Sequence, residues 1–218
     1  MIDWAELSDL IKSRRSVREW LDKPVPEDLL VKALELATWA PNGGNFQPWR
    51  FLIVTNKELI RQMGDAVKAK AELMCTWPEA GQCRDAADRW RKSCDFFRGA
   101  PVCIATLMGK YVSVTDQLLR MRGESDPLAR EIRANRQLGN SSLQSVAAAI
   151  TYLLVLLHHS GLATTWMAGP QQAKKEIEQL LQVPPEWDFV NLIPVGYPAE
   201  APAPRPRKPI AEVIQFIR

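Results

Sequence analysis

Apolar residues recur at helical spacing from the start of the chain. In Ile2–Lys12, Leu7, Leu10 and Ile11 fall on one face, and the run ends in a basic knot, Arg14-Arg15-Ser16-Val17-Arg18. Pro26 then stands at a helix start, with Glu27 and Asp28 in the first turn, where carboxylates oppose the positive end of the helix dipole. Leu30, Ala33, Leu34 and Ala37 mark one face of a helix over Glu27–Trp39, which Pro41 stops. Trp49–Thr55 is a run of bulky and β-branched residues and predicts a buried strand. A helix over Lys57–Met74 follows, then a charged stretch with scattered aromatics, Pro78–Arg98, expected as a surface helix. Pro101–Met108 predicts a second buried strand. Ser141–Ser160 is apolar nearly all round, so it reads as a central buried helix capped by Ser141 or Ser142 and stopped by Gly161. Leu162–Met167 reads as a short strand, Gln171–Leu181 as a helix and Phe189–Val195 as another strand.

Two stretches depart from this alternation. Lys110–Gly139 is polar, with six basic and four acidic residues, and predicts only a short helix near Pro127–Arg136. Its readings are a lid or dimer-contact insertion, or a solvated excursion. Ala199–Pro209 carries four prolines among small and basic residues, so an extended arm is expected. Apolar character resumes at Ile210, Val213, Ile214, Phe216 and Ile217, which are costly to leave in water. An arm that ends this way predicts a chain wrapped around a second copy of itself, an intertwined homodimer. One domain, residues 1–218, accounts for the whole pattern.

Composition changes little. Apolar residues are 46% and charged residues 24% of 218, and the net charge is +3, so nothing demands nucleic acid or a membrane as partner. Cys75, Cys83, Cys94 and Cys103 form no CxxC pair and have no histidine at ligand spacing, which predicts reduced thiols and no metal site. Acidic residues stand where a basic signal region would, and Val146–Leu157 is too short to span a bilayer. The expectation is a soluble cytoplasmic protein.

The candidate chemistry lies in two places. Ala40–Arg50 reads Ala-Pro-Asn-Gly-Gly-Asn-Phe-Gln-Pro-Trp-Arg. Pro41 and Pro48 fix backbone angles around Gly43-Gly44, a pair able to take positive φ, and Asn42, Asn45 and Gln47 supply amides. That suits a planar, hydrogen-bonding ligand, and equally an elaborate turn. Arg14, Arg15 and Arg18 beside Ser16 match the fork geometry of phosphate, and Arg205, Arg207 and Lys208 form a second basic set. His158 and His159 are the only histidines, and no nucleophile, acid–base pair or dinucleotide fingerprint can be assembled. If the protein is an enzyme, a cofactor carries the reactive chemistry.

The order and spacing of four segments resemble the nitroreductase family of flavin enzymes: Arg14–Arg18, Ala40–Trp49, Gly161–Pro170, and Pro194–Pro198 with the arm Arg205–Pro209. The resemblance implies an α+β fold, a mixed sheet flanked by helices in an interlocked homodimer with two FMN molecules at the interface. It implies that Arg14, Arg15, Ser16 and Arg18, helped by Arg205 and Arg207, hold the flavin phosphate. Pro41, Asn42, Asn45 and Gln47 would reach the flavin from the other subunit, and Thr165, Trp166, Met167, Ala168 and Gly169 would border its ring. It further implies hydride transfer from NAD(P)H through FMN N5 to a nitroaromatic, quinone or similar acceptor, with no protein catalytic residue. Other chemistries on the same fold are reductive dehalogenation, flavin fragmentation and non-catalytic flavin storage or sensing. Two departures stand out: Asn42 occupies a position more often Ser, and Thr164–Pro170 lacks an acidic residue that some branches carry.

Overall fold

A computed structural model describes residues 3–218. Four strands form one sheet in the order β1-β2-β4-β3: β1 Trp49–Val54, β2 Val102–Gly109, β3 Ala163–Thr164 and β4 Trp187–Gly196. Eight α-helices surround it among the described residues: α1 Trp4–Ser13, α2 Glu27–Ala37, α3 Lys57–Cys75, α4 Arg84–Ser93, α5 Val114–Arg122, α6 Pro127–Gly139, α7 Ser141–His159 and α8 Lys174–Leu180.

Alternation along the central strands divides the interior into two layers. On β2, Val102 and Ile104 face α2 and α7 with Leu30, Ile150, Leu153 and Leu157. Cys103, Ala105 and Leu107 face the α3 and α8 side with Ile60, Met63, Val67 and Ile177. The sheet is thus covered on both sides, which explains why the central strands read as continuous apolar runs. The Cys103 thiol, enclosed in one layer, has its pKa pushed far up by burial and is inert at neutral pH.

Every strand-to-strand ladder is antiparallel. The mixed character expected of the sheet is confined to a parallel bridge between Ser16 and Thr164, where the basic segment lies alongside β3. Several boundaries differ from the sequence pattern. Ile2 lies outside the described residues. Pro78–Arg98 is a 3₁₀ turn at Pro78–Cys83, then α4, then a second turn at Phe96–Gly99. Only Ala163–Thr164 pairs as a strand in Leu162–Met167, with a lone bridge from Met167 to Leu192. A 3₁₀ turn at Gly169–Ala173 precedes α8.

The stretch 110–139 is more ordered than expected. It holds α5, opened by a reciprocal capping box between Ser113 and Asp116, and α6, whose Asp126 side chain accepts from the Leu128 N–H. Arg136 on α6 donates to Asp116 at 2.9 Å and locks the two helices together. The α7 cap is Asn140, not Ser141 or Ser142: its Oδ1 accepts from the Leu143 N–H while its backbone, at φ 36°, ends α6. One residue serves both helices because asparagine tolerates the left-handed region and carries a capping carbonyl. Nor is α7 enclosed all round. Ala147, Ala148 and Val155 are half-buried, and Gln144, Thr151 and Tyr152 are exposed, a stripe at helical spacing. The helical stretch 127–159 holds a window apolar enough to cross a bilayer, yet Val146, Ile150, Leu153 and Leu157 within it are fully enclosed by the core.

Candidate functional site

The basic segment 14–18 is held in extended form by backbone. The Val17 N–H donates to the Thr164 carbonyl, and the buried Thr165 hydroxyl donates to the Val17 carbonyl at 2.6 Å. This pinning directs Arg14, Arg15, Ser16 and Arg18 toward the start of the arm. The arm is itself stitched to the same stretch: Ala199 N–H donates to Glu19 O, and Arg18 N–H to Glu200 Oε1. Arg14, Arg15, Ser16, Arg18, Arg205 and Arg207 therefore line one cavity of about 260 Å³, with Pro202 and Ala203 completing the wall. None of these five guanidinium groups is in a salt bridge among the described residues.

The arginines are not equivalent. Arg15 donates to the Arg14 carbonyl at 2.8 Å and to Lys12 O, capping the end of α1. The Arg18 guanidinium lies over the Phe96 ring, 5.6 Å from its centre. Arg14 is the most crowded: partial burial, then Arg15 and Arg207, lower its pKa from the ordinary arginine value. A dianion entering this cavity would meet an uncompensated cluster of donors.

The loop before β1 is built differently. A 3₁₀ turn at Gly43–Asn45 places Gly44, Asn45 and Gln47 at φ 60°, 52° and 54°. Three left-handed residues in four positions store backbone strain that few non-glycine residues accept. Asn42 locks the turn, its Oδ1 accepting from the Gln47 N–H at 2.8 Å. Its amide is thus spent within the loop, while Pro41, Asn45 and Gln47 are exposed. The Gly43 N–H donates to Ser145 Oγ on α7, and Phe46 packs on Tyr111 with ring centres 4.6 Å apart.

In the segment after β3, Thr165 and Met167 are buried and Trp166, Ala168 and Gly169 exposed. The Trp166 indole donates to Asn191 Oδ1 on β4 at 2.7 Å, fixing the ring across the sheet edge.

One chain does not bring all these residues to one place. The loop is tied to Ser145 near the start of α7. The basic segment is tied to its end, where Ser13 Oγ and His158 Nε2 lie 2.8 Å apart. Thirteen residues of helix separate the two anchors, about 20 Å at the rise of an α-helix. Neither 41–47 nor 165–169 lines the arginine cavity.

The sequence pattern gave His158 no role, and gave no sign of Tyr111 or Glu200. His158 borders a second cavity of about 460 Å³ that shares Arg15 and Pro202 with the first. Its pKa is lowered by burial first, then by Arg14, Arg15 and His159. Its place at the end of an apolar helix marks it in the sequence, while the contact with Ser13 comes from the fold. Tyr111 and Glu200 carry no local signal, because their roles come from contacts across the chain.

The Nitroreductase family model matches residues 11–197, and the chain belongs to that family. Among curated relatives, an iodotyrosine deiodinase of Thermotoga neapolitana is 31% identical over 95% of this chain and 95% of that protein. A putative NAD(P)H nitroreductase of Bacillus subtilis, YfhC, is 26% identical over 94% of this chain and 91% of its own. The solved structure of a BluB-like flavoprotein from Clostridium difficile superposes with TM-score 0.85 at 25% identity, covering 97% of this chain and 99% of that one.

Proposed function

We propose that the protein is an FMN-dependent oxidoreductase that works as a homodimer. The observation that carries this reading is the arginine cavity, five guanidinium groups with no salt bridge among the described residues, in a chain of the Nitroreductase family. A cavity so charged fits the phosphate of a flavin mononucleotide, with Arg14 and Arg207 among its lining cations and Ser16 a neutral donor. FMN bound there supplies hydride chemistry, accepting from NAD(P)H and giving to a small acceptor such as a nitroaromatic or quinone. The protein's own residues hold and orient. The exposed amides of Asn45 and Gln47 and the backbone at Ala168 and Gly169 offer hydrogen bonds to a flat polar ring.

The second subunit follows from the distance along α7. The anchors of the loop and of the basic segment stand about 20 Å apart along α7 in one chain, which supports a loop that reaches the flavin from the partner. The half-exposed stripe on α7 and the exposed apolar end of the arm, Ile210 to Ile217, supply surface to bury in such a dimer. Four free thiols agree with a reducing, cytoplasmic setting.

The visible spectrum tests this. A yellow protein that bleaches with NADH or NADPH without oxygen supports the reading. A colourless protein that cannot be reconstituted with FMN overturns it. The similarity to a deiodinase over nearly the full length favours a second chemistry on the same cofactor, reductive dehalogenation. Iodide released from 3-iodotyrosine by the reduced protein, without turnover of nitroaromatics, would select it.

A further inference from the structure

Beyond the flavin cavity, α5, α6 and the start of α7 border a separate, solvent-open space of about 340 Å³. Its wall is polar and its charge lopsided. Asp116 and Arg136 neutralise one another, with Nε donating to Oδ1 at 2.9 Å, and the carboxyl of Asp116 is held well below the usual carboxylate range by Arg136 and Ser113. That leaves Arg120 and Arg133 facing the space with no acidic partner among the described residues. Ser141 and Ser142, the first two residues of the 19-residue helix α7, line it as well, at the positive end of the helix dipole. Two free guanidinium groups above a helix N-terminus describe an anion seat.

Its position gives the anion a role. Tyr111, at the edge of this space, packs on Phe46, and its hydroxyl lies 3.4 Å from where a side chain on Gly44 would begin. The space therefore opens beside the loop that faces the flavin. Both belong to the same chain, so the arrangement survives whichever subunit contributes the phosphate site. We propose that this cavity seats the carboxylate of the electron acceptor, with Arg120 and Arg133 as specificity-determining residues. Acceptors bearing an acidic group are then preferred to neutral ones of the same reducible centre. The acceptor role rests on the flavin reading above; the anion seat does not.

The test compares 4-nitrobenzoate with 4-nitrobenzyl alcohol on the FMN-loaded protein. The ratio of kcat/KM, carboxylate over neutral, is expected to fall roughly tenfold or more in Arg120→Gln and in Arg133→Gln. Arg89→Gln removes an equal charge on α4, outside the cavity, and is expected to leave the ratio alone. An unchanged ratio in both cavity variants overturns the proposal, as does an equal fall in Arg89→Gln, which would mean bulk charge. A loss of preference for NADPH over NADH in Arg133→Gln, with the acceptor ratio intact, would give the seat to the reductant's phosphate and overturn it too. If the protein reduces no nitro compound, only the nitroaromatic acceptor falls, and calorimetric titration with 4-nitrobenzoate decides the cavity. Binding that weakens in Arg133→Gln supports the seat; no binding, or binding unaffected by the substitution, refutes it.

Discussion

Arg14 shows how single residues carry the argument. Like charges crowd it and burial strips its hydration, yet no carboxylate relieves it. The repulsion is released when a dianion arrives, so Arg14→Ala and Arg207→Ala each remove a charge-assisted bond worth about 1.5–3 kcal/mol. Equilibrium dialysis against FMN should show affinity lower by roughly ten- to a hundredfold. Unchanged retention in both variants would refute the phosphate assignment. His158 responds to pH in the same neighbourhood. Its folded pKa lies below the unfolded 6.5, so the unfolded chain binds the extra proton and stability rises with pH. For the flavin-free protein, that contribution is complete above pH 6.5 and is lost as pH falls below it. Urea denaturation at neutral and mildly acidic pH should show a loss that His158→Gln reduces; an identical pH slope in the two proteins would exclude it. The basic knot was legible because three arginines in five residues are a chemical statement in themselves. What Arg15 and Arg18 do with part of their donors, one capping α1 and one over Phe96, depends on neighbours far along the chain.

Elements were legible where period and burial agree. The central strands and α2, α3 and α7 follow from hydrophobic spacing, since packing on a two-faced sheet enforces that spacing. In the 110–139 stretch the helix near Pro127–Arg136 was legible and α5 was not, because α5 is held by a capping box and the Asp116–Arg136 pair rather than by an apolar stripe. The α7 cap was misplaced for a related reason: Asn140-Ser141-Ser142 offers three capping side chains in a row, and only the left-handed backbone at Asn140 decides among them. Asn140→Ala should therefore destabilise the protein by about 1–2 kcal/mol, read as a shift in urea midpoint, while Ser142→Ala costs little. A larger effect from Ser142→Ala would contradict the assignment. The Ala40–Arg50 loop was recognised as special from its prolines and glycines. That Asn45 and Gln47, not only glycine, occupy the left-handed region had no sequence signal.

At the scale of the molecule, the proposed homodimer makes this chain half of the working unit. The arm divides into two parts: residues up to Arg207 fold back on their own basic segment, while Ile210, Phe216 and Ile217 stand exposed, uncovered among the described residues. Ending the chain at Pro209 should leave the phosphate cavity in place yet shift the protein toward monomer in sedimentation and reduce its flavin content. A truncated protein that stays dimeric and fully yellow would remove the arm from the interface. The apolar ending was legible in the sequence, whereas the split of the arm was not, because Glu200 and Ala199 bind positions about 180 residues away in sequence. The length of α7 has a genetic consequence as well. Arg14→Ala spoils the phosphate half of a site, and Gly44→Val, at φ 60°, spoils the loop half. Neither variant alone assembles a whole site. Unfolded together and refolded, about half the dimers pair one of each, and each mixed dimer holds one site with both halves intact, so about a quarter of the normal flavin capacity should return. Two broken alleles would complement each other inside a single enzyme.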